Sequence, residues 1–323
     1  MPKVSIITPC YNSDRYIGRT IASVQSQTLT DWEHIIVDDG SSDQSATVVQ
    51  TYLPQNQQLQ LVQQSNRGVA SARNAGINAS SKNSSYLFFL DADDCLAPNM
   101  LAVLTRYLDQ HPDVGLAYCG CIYIDPEDNA IETPSFSRYV PSRFGVRQLT
   151  DTDAATPFIS IFAPAVILPS VSIIRRSVYE QTPGWDEQFG QPFEDTDLIL
   201  QIALQSQIHY IPETLVQHRR HAAQSTASQK RLDHQQERLY QKWLHLEDLT
   251  PAQKLMVQTA WWFRRGRVVP YIGIQAGHRY LQQGEINLAL RFYLGAVKRY
   301  LWSFLPGACP KSSPIKLTEL RTV

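Results

Sequence analysis

Ten residues, Tyr86 to Cys95 (YLFFLDADDC), constrain this chain more than any other stretch. Tyr86 to Leu90 are all apolar or aromatic, which fits a strand buried on both faces in the middle of a parallel sheet. Three of the next four residues are Asp91, Asp93 and Asp94. They fall at the carboxyl end of that strand, where open α/β sheets bind their ligands. Carboxylates so close repel one another unless one is protonated or a cation intervenes, and Mg²⁺ and Mn²⁺ prefer such oxygens. The same residues also suit a solvated acidic turn capping the next helix. Asp94 in particular reads either as a third ligand or as that cap.

The chain around this stretch alternates strand and helix. Val4–Thr8 is a β-branched strand ending at Pro9-Cys-Tyr-Asn12, and Tyr16–Gln27 has helical spacing. Trp32–Val37 is a second strand, running into Asp38-Asp-Gly-Ser-Ser-Asp43, a tight turn in which Gly40 is free to take positive φ. Leu59–Val62 is a weaker strand, and Asn66–Gly76 is a helix rich in small residues. After the opening stretch come a helix over Leu96–Gln110 and a strand over Val114–Ile124. This order predicts a mostly parallel sheet with right-handed crossovers. Residues 125–165 read as loop-rich, followed by a strand at Val166–Ile174, a helix from Glu194 to about Gln205 and a short strand at Ile208–Ile211.

From Arg231 onward the pattern is helical, with segments at His234–Leu246, Ala252–Arg264 and Ile286–Leu305. The expected organisation is a domain over 1–230, a helical extension over 231–305 and a flexible tail over 306–323. Tyr280–Arg299 resembles a single tetratricopeptide hairpin, which needs neighbours to bury its faces. Ile286–Leu305 carries an apolar stripe with Arg291, Lys298 and Arg299 among its polar positions. It reads as packing against the rest of the chain or a second subunit, or as peripheral membrane contact.

Composition narrows the partners. With 29 Lys and Arg against 30 Asp and Glu, a net charge of −1 gives no reason to expect nucleic acid. The five cysteines are odd in number, and Cys119-x-Cys121 lacks two further ligands at zinc spacing. A reducing compartment is the simpler reading. No run meets the transmembrane criterion, and Met1–Thr8 enters a strand directly without a signal-peptide core. The expected location is cytoplasmic, or peripheral at the inner face of the membrane.

Polar groups recur at strand ends: Tyr11 and Asn12, then Asp38 and Asp39, then Asp91 and Asp93. In a parallel sheet these lie on one edge, and Arg73 on the intervening helix can bring a positive charge there. Acidic groups for a metal, an arginine for a phosphate and an aromatic beside them describe a nucleotide diphosphate site.

Six pieces then resemble family 2 inverting glycosyltransferases of the GT-A fold, in the family's order over about residues 3–225. They are Pro9-Cys-Tyr-Asn12, Ser23–Thr28, Ile36–Asp43, Asn66–Gly76, Leu90–Asp94 and Gly184-Trp-Asp-Glu187 with Glu194-Asp-Thr-Asp-Leu198. The resemblance implies a Rossmann-like α/β fold with a nucleotide-sugar half to about residue 115 and an acceptor half over 116–230; the all-helical extension lies outside the resemblance. It implies that Pro9, Tyr11, Asp39, Arg73 and Asp91 hold the nucleotide, usually UDP. It further implies that Asp93, with Asp91 and His221, holds Mn²⁺ or Mg²⁺, and that Asp195 is the general base. The implied reaction is single displacement from a nucleotide-diphosphate sugar to a hydroxyl of a glycan or lipid-linked acceptor. His218 departs from the family, which more often has an aromatic there.

Each residue has a plainer reading. Glu194, Asp195 and Asp197 open a helix, where the macrodipole favours acids anyway. Tyr11 can be simple packing, Trp185 and Phe189 core or acceptor platform, and His218–His221 a solvated basic loop. A sugar-nucleotide pyrophosphorylase or a non-catalytic scaffold are the competing functions. The former usually shows a glycine-rich, basic N-terminal loop that Thr8-Pro-Cys-Tyr-Asn12 lacks.

Overall fold

A computed structural model of the chain describes residues 1–131, 139–142, 145–162, 167–189, 192–221 and 229–303. The expected tail over 306–323 lies outside these residues. The chain divides into two compact units, Met1–Ser135 with Ile167–Gln235, and Phe136–Val166 with Gln236–Val323.

The first unit begins with β1 (Val4–Cys10), α1 (Ile17–Gln25), β2 (Trp32–Asp39), α2 (Ser45–Tyr52), β3 (Leu59–Gln64), α3 (Val69–Ala79) and β4 (Tyr86–Phe89). It continues with β5 (Cys95–Leu96), α4 (Met100–Gln110), β6 (Val114–Ile124) and β7 (Ala130–Ile131). The second unit supplies β8 (Tyr139–Ser142), β9 (Gly145–Gln148) and α5 (Phe158–Phe162). The chain then returns to the first unit with β10 (Ser172–Arg175), α6 (Arg176–Tyr179), α7 (Glu194–Ala203) and β11 (Gln207–Arg219). It ends with α8 (Gln229–Leu244), α9 (Pro251–Phe263), α10 (Val269–Gln282) and α11 (Ile286–Trp302).

The sheet order is β3-β2-β1-β4-β10-β6-β11-β5, with β7 on β6. β1, β2, β3 and β4 pair in parallel, as the strand–helix alternation requires. Leu87 and Phe88 of β4 are fully buried, in keeping with a central strand. The sheet is mixed, because β10 pairs antiparallel with both β4 and β6. β5, too, pairs antiparallel with β11.

Three expected boundaries shift for local reasons. The helix expected from Leu96 starts at Met100, because Pro98 bars Ala97 from helical backbone. Ala97 instead donates its N–H to the Leu215 carbonyl at 2.8 Å. The strand expected over Val166–Ile174 is confined to Ser172–Arg175, after a 3₁₀ turn at Pro169–Val171; residues 163–166 lie outside the described ones. The strand expected to end at Ile211 runs to Arg219. Pro212 has no N–H to give the ladder, so the register jumps from Ile211↔Cys119 to Thr214↔Gly120 and pairing resumes.

The division into units also departs from a split at residue 230. Residues 136–166, expected in the acceptor half, belong with the helices. Phe158 and Phe162 set their rings 6.0 and 6.5 Å from that of Trp243. Helix α10 was not expected as a separate element; it continues from α9 through a π-helical stretch at Arg264–Val268, with Pro270 just beyond that stretch. Among the described residues no helix is long and apolar enough to cross a membrane, and the described cysteines are free.

Helix α3 lies close on the sheet because Gly76 allows it. A Cβ there would stand 2.4 Å from Ile7 Cγ2 and 3.2 Å from Val37 Cγ2. Alanine improves helix propensity by about 1 kcal/mol, while overpacking a core costs about 1–3 kcal/mol. Gly76→Ala is therefore expected to lower stability by roughly 1 kcal/mol, within a net range of about 0–2 kcal/mol, in chemical denaturation.

Candidate functional site

The carboxyl ends of β1, β2 and β4 share one edge, and each delivers part of the site. Pro9 closes β1 opposite Val37. Asn12 follows at a φ of 49°, a left-handed conformation that asparagine tolerates. Its N–H donates to Ser41 Oγ at 3.0 Å, and its Oδ1 accepts from the Ser42 N–H at 2.9 Å. The turn after β2 is thereby tied to the end of β1, and Tyr11 is left 51% exposed on that edge.

Asp39 is buried at the end of β2. Its Oδ1 accepts from the Arg67 N–H at 2.9 Å and Gln64 Nε2 at 2.7 Å, and its Oδ2 from the Gly68 N–H at 2.8 Å. This carboxylate fixes the turn that starts α3, and α3 carries Arg73.

Arg73 is almost fully buried. Its Nη2 donates to Asp91 Oδ1 at 2.9 Å and its Nη1 to Glu194 Oε1 at 3.0 Å. The guanidinium lies 4.2 Å from the Trp185 ring centre, a cation–π contact. Burial disfavours its charge, but Asp91 and Glu194 more than offset this and its pKa moves up. This differs from the expectation that Arg73 reaches a phosphate. Both terminal nitrogens are engaged by carboxylates, so the side chain acts as a tie between β4 and α7. Trp185 serves as its platform, and Phe89 meets Trp185 edge-on at 4.9 Å.

Helix α7 opens on the acidic residues Glu194, Asp195 and Asp197. Phe193, just before it, holds a φ of 86°, a backbone state that costs a bulky side chain on the order of 1–2 kcal/mol. Asp195 accepts through Oδ1 from its neighbour's N–H, Thr196, at 2.6 Å. Oδ2 has no partner among the described residues. Burial and the adjacent Glu194 carboxylate push the Asp195 pKa up to about 7, with Arg73 opposing. A carboxyl that titrates near neutrality is suited to take a proton from a hydroxyl.

The remaining acids of the opening motif face the end of β11. Asp93 Oδ2 lies 2.8 Å from His221 Nε2, and the His221 ring stands 5.3 Å from that of Tyr16. Asp94 is fully buried. Its Oδ2 meets His218 Nδ1 at 3.0 Å and its Oδ1 accepts the Arg219 N–H at 2.9 Å. Asp94 is thus neither a third ligand nor a helix cap; it fastens the acidic turn to β11. Burial alone would lower the His218 pKa, but the Asp94 carboxylate outweighs it and the net shift is upward. His218 and Arg219 belong to β11 rather than to a solvated loop.

Arg219, also fully buried, was read only as part of a motif. Its Nε donates to the Asp93 carbonyl and its Nη1 to the Asp125 carbonyl, both at 2.9 Å, and it packs 4.8 Å from the Tyr16 ring centre. Thr20 adds donation from Oγ1 shared by the Ala92 and Asp94 carbonyls, each at 2.9 Å. Neither Tyr16 nor Thr20 carries a sequence signal, since each reads as an ordinary position on an amphipathic helix.

Of the three expected metal ligands, Asp93 and His221 come together, while Asp91 turns to Arg73. Among the described residues no three His, Cys, Asp or Glu side chains converge as a cation site. Two protein donors still fit Mg²⁺ or Mn²⁺, which usually completes its shell with water and substrate phosphate oxygens.

The profile described as Glycosyl transferase family 2 matches residues 5–181. An uncharacterized glycosyltransferase, EpsJ of Bacillus subtilis, is 37% identical over 120 residues, 37% of this chain and 34% of that protein. Chondroitin synthase of Escherichia coli is 34% identical over 148 residues, 43% of this chain and 20% of the relative. The matched stretches thus span about a third or less of these relatives. Among solved structures, TarS 1-349 of S. aureus in complex with UDP-GlcNAc has a TM-score of 0.58 at 17% identity, covering 92% of each chain. The mannosyltransferase PcManGT of Pyrobaculum calidifontis, in complex with GDP-Man and Mn²⁺, has a TM-score of 0.56 at 16% identity, covering 94% of this chain and 88% of that one. These structures share the GT-A fold expected from the motifs. With its profile matched over more than half of its length, the chain belongs to glycosyl transferase family 2.

Proposed function

We propose that the protein is an inverting glycosyltransferase that moves a sugar from a nucleotide-diphosphate donor, UDP-linked by preference, to a hydroxyl of a glycan or lipid-linked acceptor. One observation carries this reading. Arg73 joins Asp91 to Glu194, so the strand-end carboxylates and the acidic start of α7 form one site across 121 residues of sequence. A site that only turned a helix or bound a cation would have no need of that tie. The UDP-GlcNAc complex of TarS and the chondroitin synthase relative support a nucleotide-sugar donor and a glycan acceptor.

In this reading Pro9, Tyr11 and the turn fixed by Asp39 receive the nucleotide, and the exposed Tyr11 ring offers a stacking face for the base. Asp93 and His221 would hold Mn²⁺ or Mg²⁺, which would supply a Lewis acid for the negative charge on the leaving diphosphate, while Asp91 stays on Arg73. Asp195 Oδ2 takes the proton of the acceptor hydroxyl as the oxygen attacks the anomeric carbon. The attack comes from the face opposite the diphosphate, and configuration inverts. Arg73 positions Glu194, and through it the first turn of α7 that presents Asp195.

Asp195 must be ionised to act. Because its pKa is raised to about 7, kcat/KM should rise with pH through that value and level off above it. Asp195→Asn should keep donor affinity, lose transfer by about 10²–10⁴-fold and lose that pH limb; undiminished transfer would refute the assignment. Arg73→Ala leaves Glu194 buried and unpaired, and loss of about 3–5 kcal/mol in thermal or chemical unfolding is expected. Arg73→Lys keeps the charge but cannot span both carboxylates. It should fold while turnover drops at least about tenfold, as a displaced group typically costs. Asp93→Ala should weaken Mn²⁺-dependent nucleotide binding in calorimetry. Equal affinity of the wild type with and without Mn²⁺ would remove the metal from this reading.

A further inference from the structure

The antiparallel pair α10–α11 meets through small side chains. Ala276 and Gly277 of α10 and Ala289 and Ala296 of α11 are buried, and a Cβ on Gly277 would come within 2.7 Å of the Tyr293 ring. This close approach consumes the small residues of α11 and leaves its large ones outside. Ile286, Leu290, Leu294, Val297 and Leu301 are each 51–70% exposed. Their spacing of four, four, three and four places them on one ridge along the helix. Among the described residues nothing covers it. The sequence pattern leaves open whether this stripe packs inward or faces outward, because it cannot reveal that α10 takes the alanine face instead.

We infer that this ridge docks onto an anionic lipid surface. Single exposed leucines need no explanation, but an unbroken apolar ridge along a 17-residue helix does. Its charge selects the occupant. α11 contains Arg291, Lys298 and Arg299 and no acidic residue. Between residues 264 and 303, Glu285 is the one acid against seven Lys and Arg. Arg291 and Lys298 directly follow Leu290 and Val297, about 100° further round the helix. Both are exposed, so they can reach phosphate headgroups while the ridge enters the acyl boundary. A second copy of the ridge would bring the same cations against one another with no acid within α11 to meet them. α11 cannot cross the membrane; it lies along the surface. This inference does not depend on the acceptor of the site in the first unit, so either reading can fail without the other.

The test is sedimentation of the full chain with vesicles of phosphatidylcholine alone or mixed with phosphatidylglycerol. The wild type should pellet with the anionic vesicles, much less with the neutral ones, and less as salt rises. Arg291→Gln with Lys298→Gln should weaken partition by roughly thirtyfold, from the contribution of each cation near such a surface. Leu290→Ser with Leu294→Ser should weaken it by about tenfold or more. Each variant should keep the wild-type circular dichroism and Tm, since all four side chains are exposed. A wild type that stays in solution with anionic vesicles overturns the proposal, as does unchanged partition of either variant. Sedimentation velocity showing a wild-type dimer that the leucine variant dissociates would assign the ridge to a second copy instead.

Discussion

The buried arginine between Asp91 and Glu194 is the interaction on which the site depends. An unpaired guanidinium in that position would be strongly unfavourable, so burying it requires both carboxylates to be present and oriented. The requirement runs the other way as well. Asp91 sits on the last turn of a strand in the N-terminal part of the chain, and Glu194 starts a helix far downstream. Neither local propensity nor the sheet alone would hold them a guanidinium's width apart. Trp185 flattens the arginine against its face, and Asn74, one residue along α3, donates to the Trp185 carbonyl at 3.0 Å. The platform and the cation are therefore set by the same helix.

A second fastening works at the other end of the acidic motif. Asp94 accepts from His218 and from the Arg219 backbone, Arg219 returns a bond to the Asp93 carbonyl, and Thr20 holds two carbonyls of the same turn. Both oxygens of the buried Asp94 carboxylate are engaged, which is the condition under which a buried polar group gives rigidity rather than cost. Asp93 and His221 project from the two sides of this fastening.

Much of this was legible in the residues. The apolar run at Tyr86–Leu90 identified a central strand, and recurring acids after successive strands pointed to one shared edge of the sheet. What could not be read were relations between distant residues. Arg73 reads as a phosphate ligand because a cation among acids near a nucleotide motif suggests one; the structure pairs it with Asp91 and Glu194. Its burial, and the presence of Glu194 on its far side, exist only in three dimensions. Asp94 and His218 each had a sound local reading, as a cap and as a loop residue. Pro212 concealed the continuation of β11 that brings them into contact. In the helices, an apolar stripe at regular spacing normally marks the buried face, and only the alanine and glycine contacts of α10 with α11 reveal that here it does not.

The place of β10 in the sheet bears on how the protein is made. Ile173 pairs with Phe88 and Ala117 at once, filling the gap between β4 and β6. Until the ribosome has released that strand, β4 has one hydrogen-bonding edge open along a run of aromatic and aliphatic side chains, and β6 has another. Such edges recruit other chains when left waiting. The portion up to about residue 115 therefore resembles a nucleotide-binding domain in its motifs without being a separable folding unit. A gene cut at that point would encode an adhesive fragment, and any fusion or split of this chain has to keep β10 on the same side of the junction as β4.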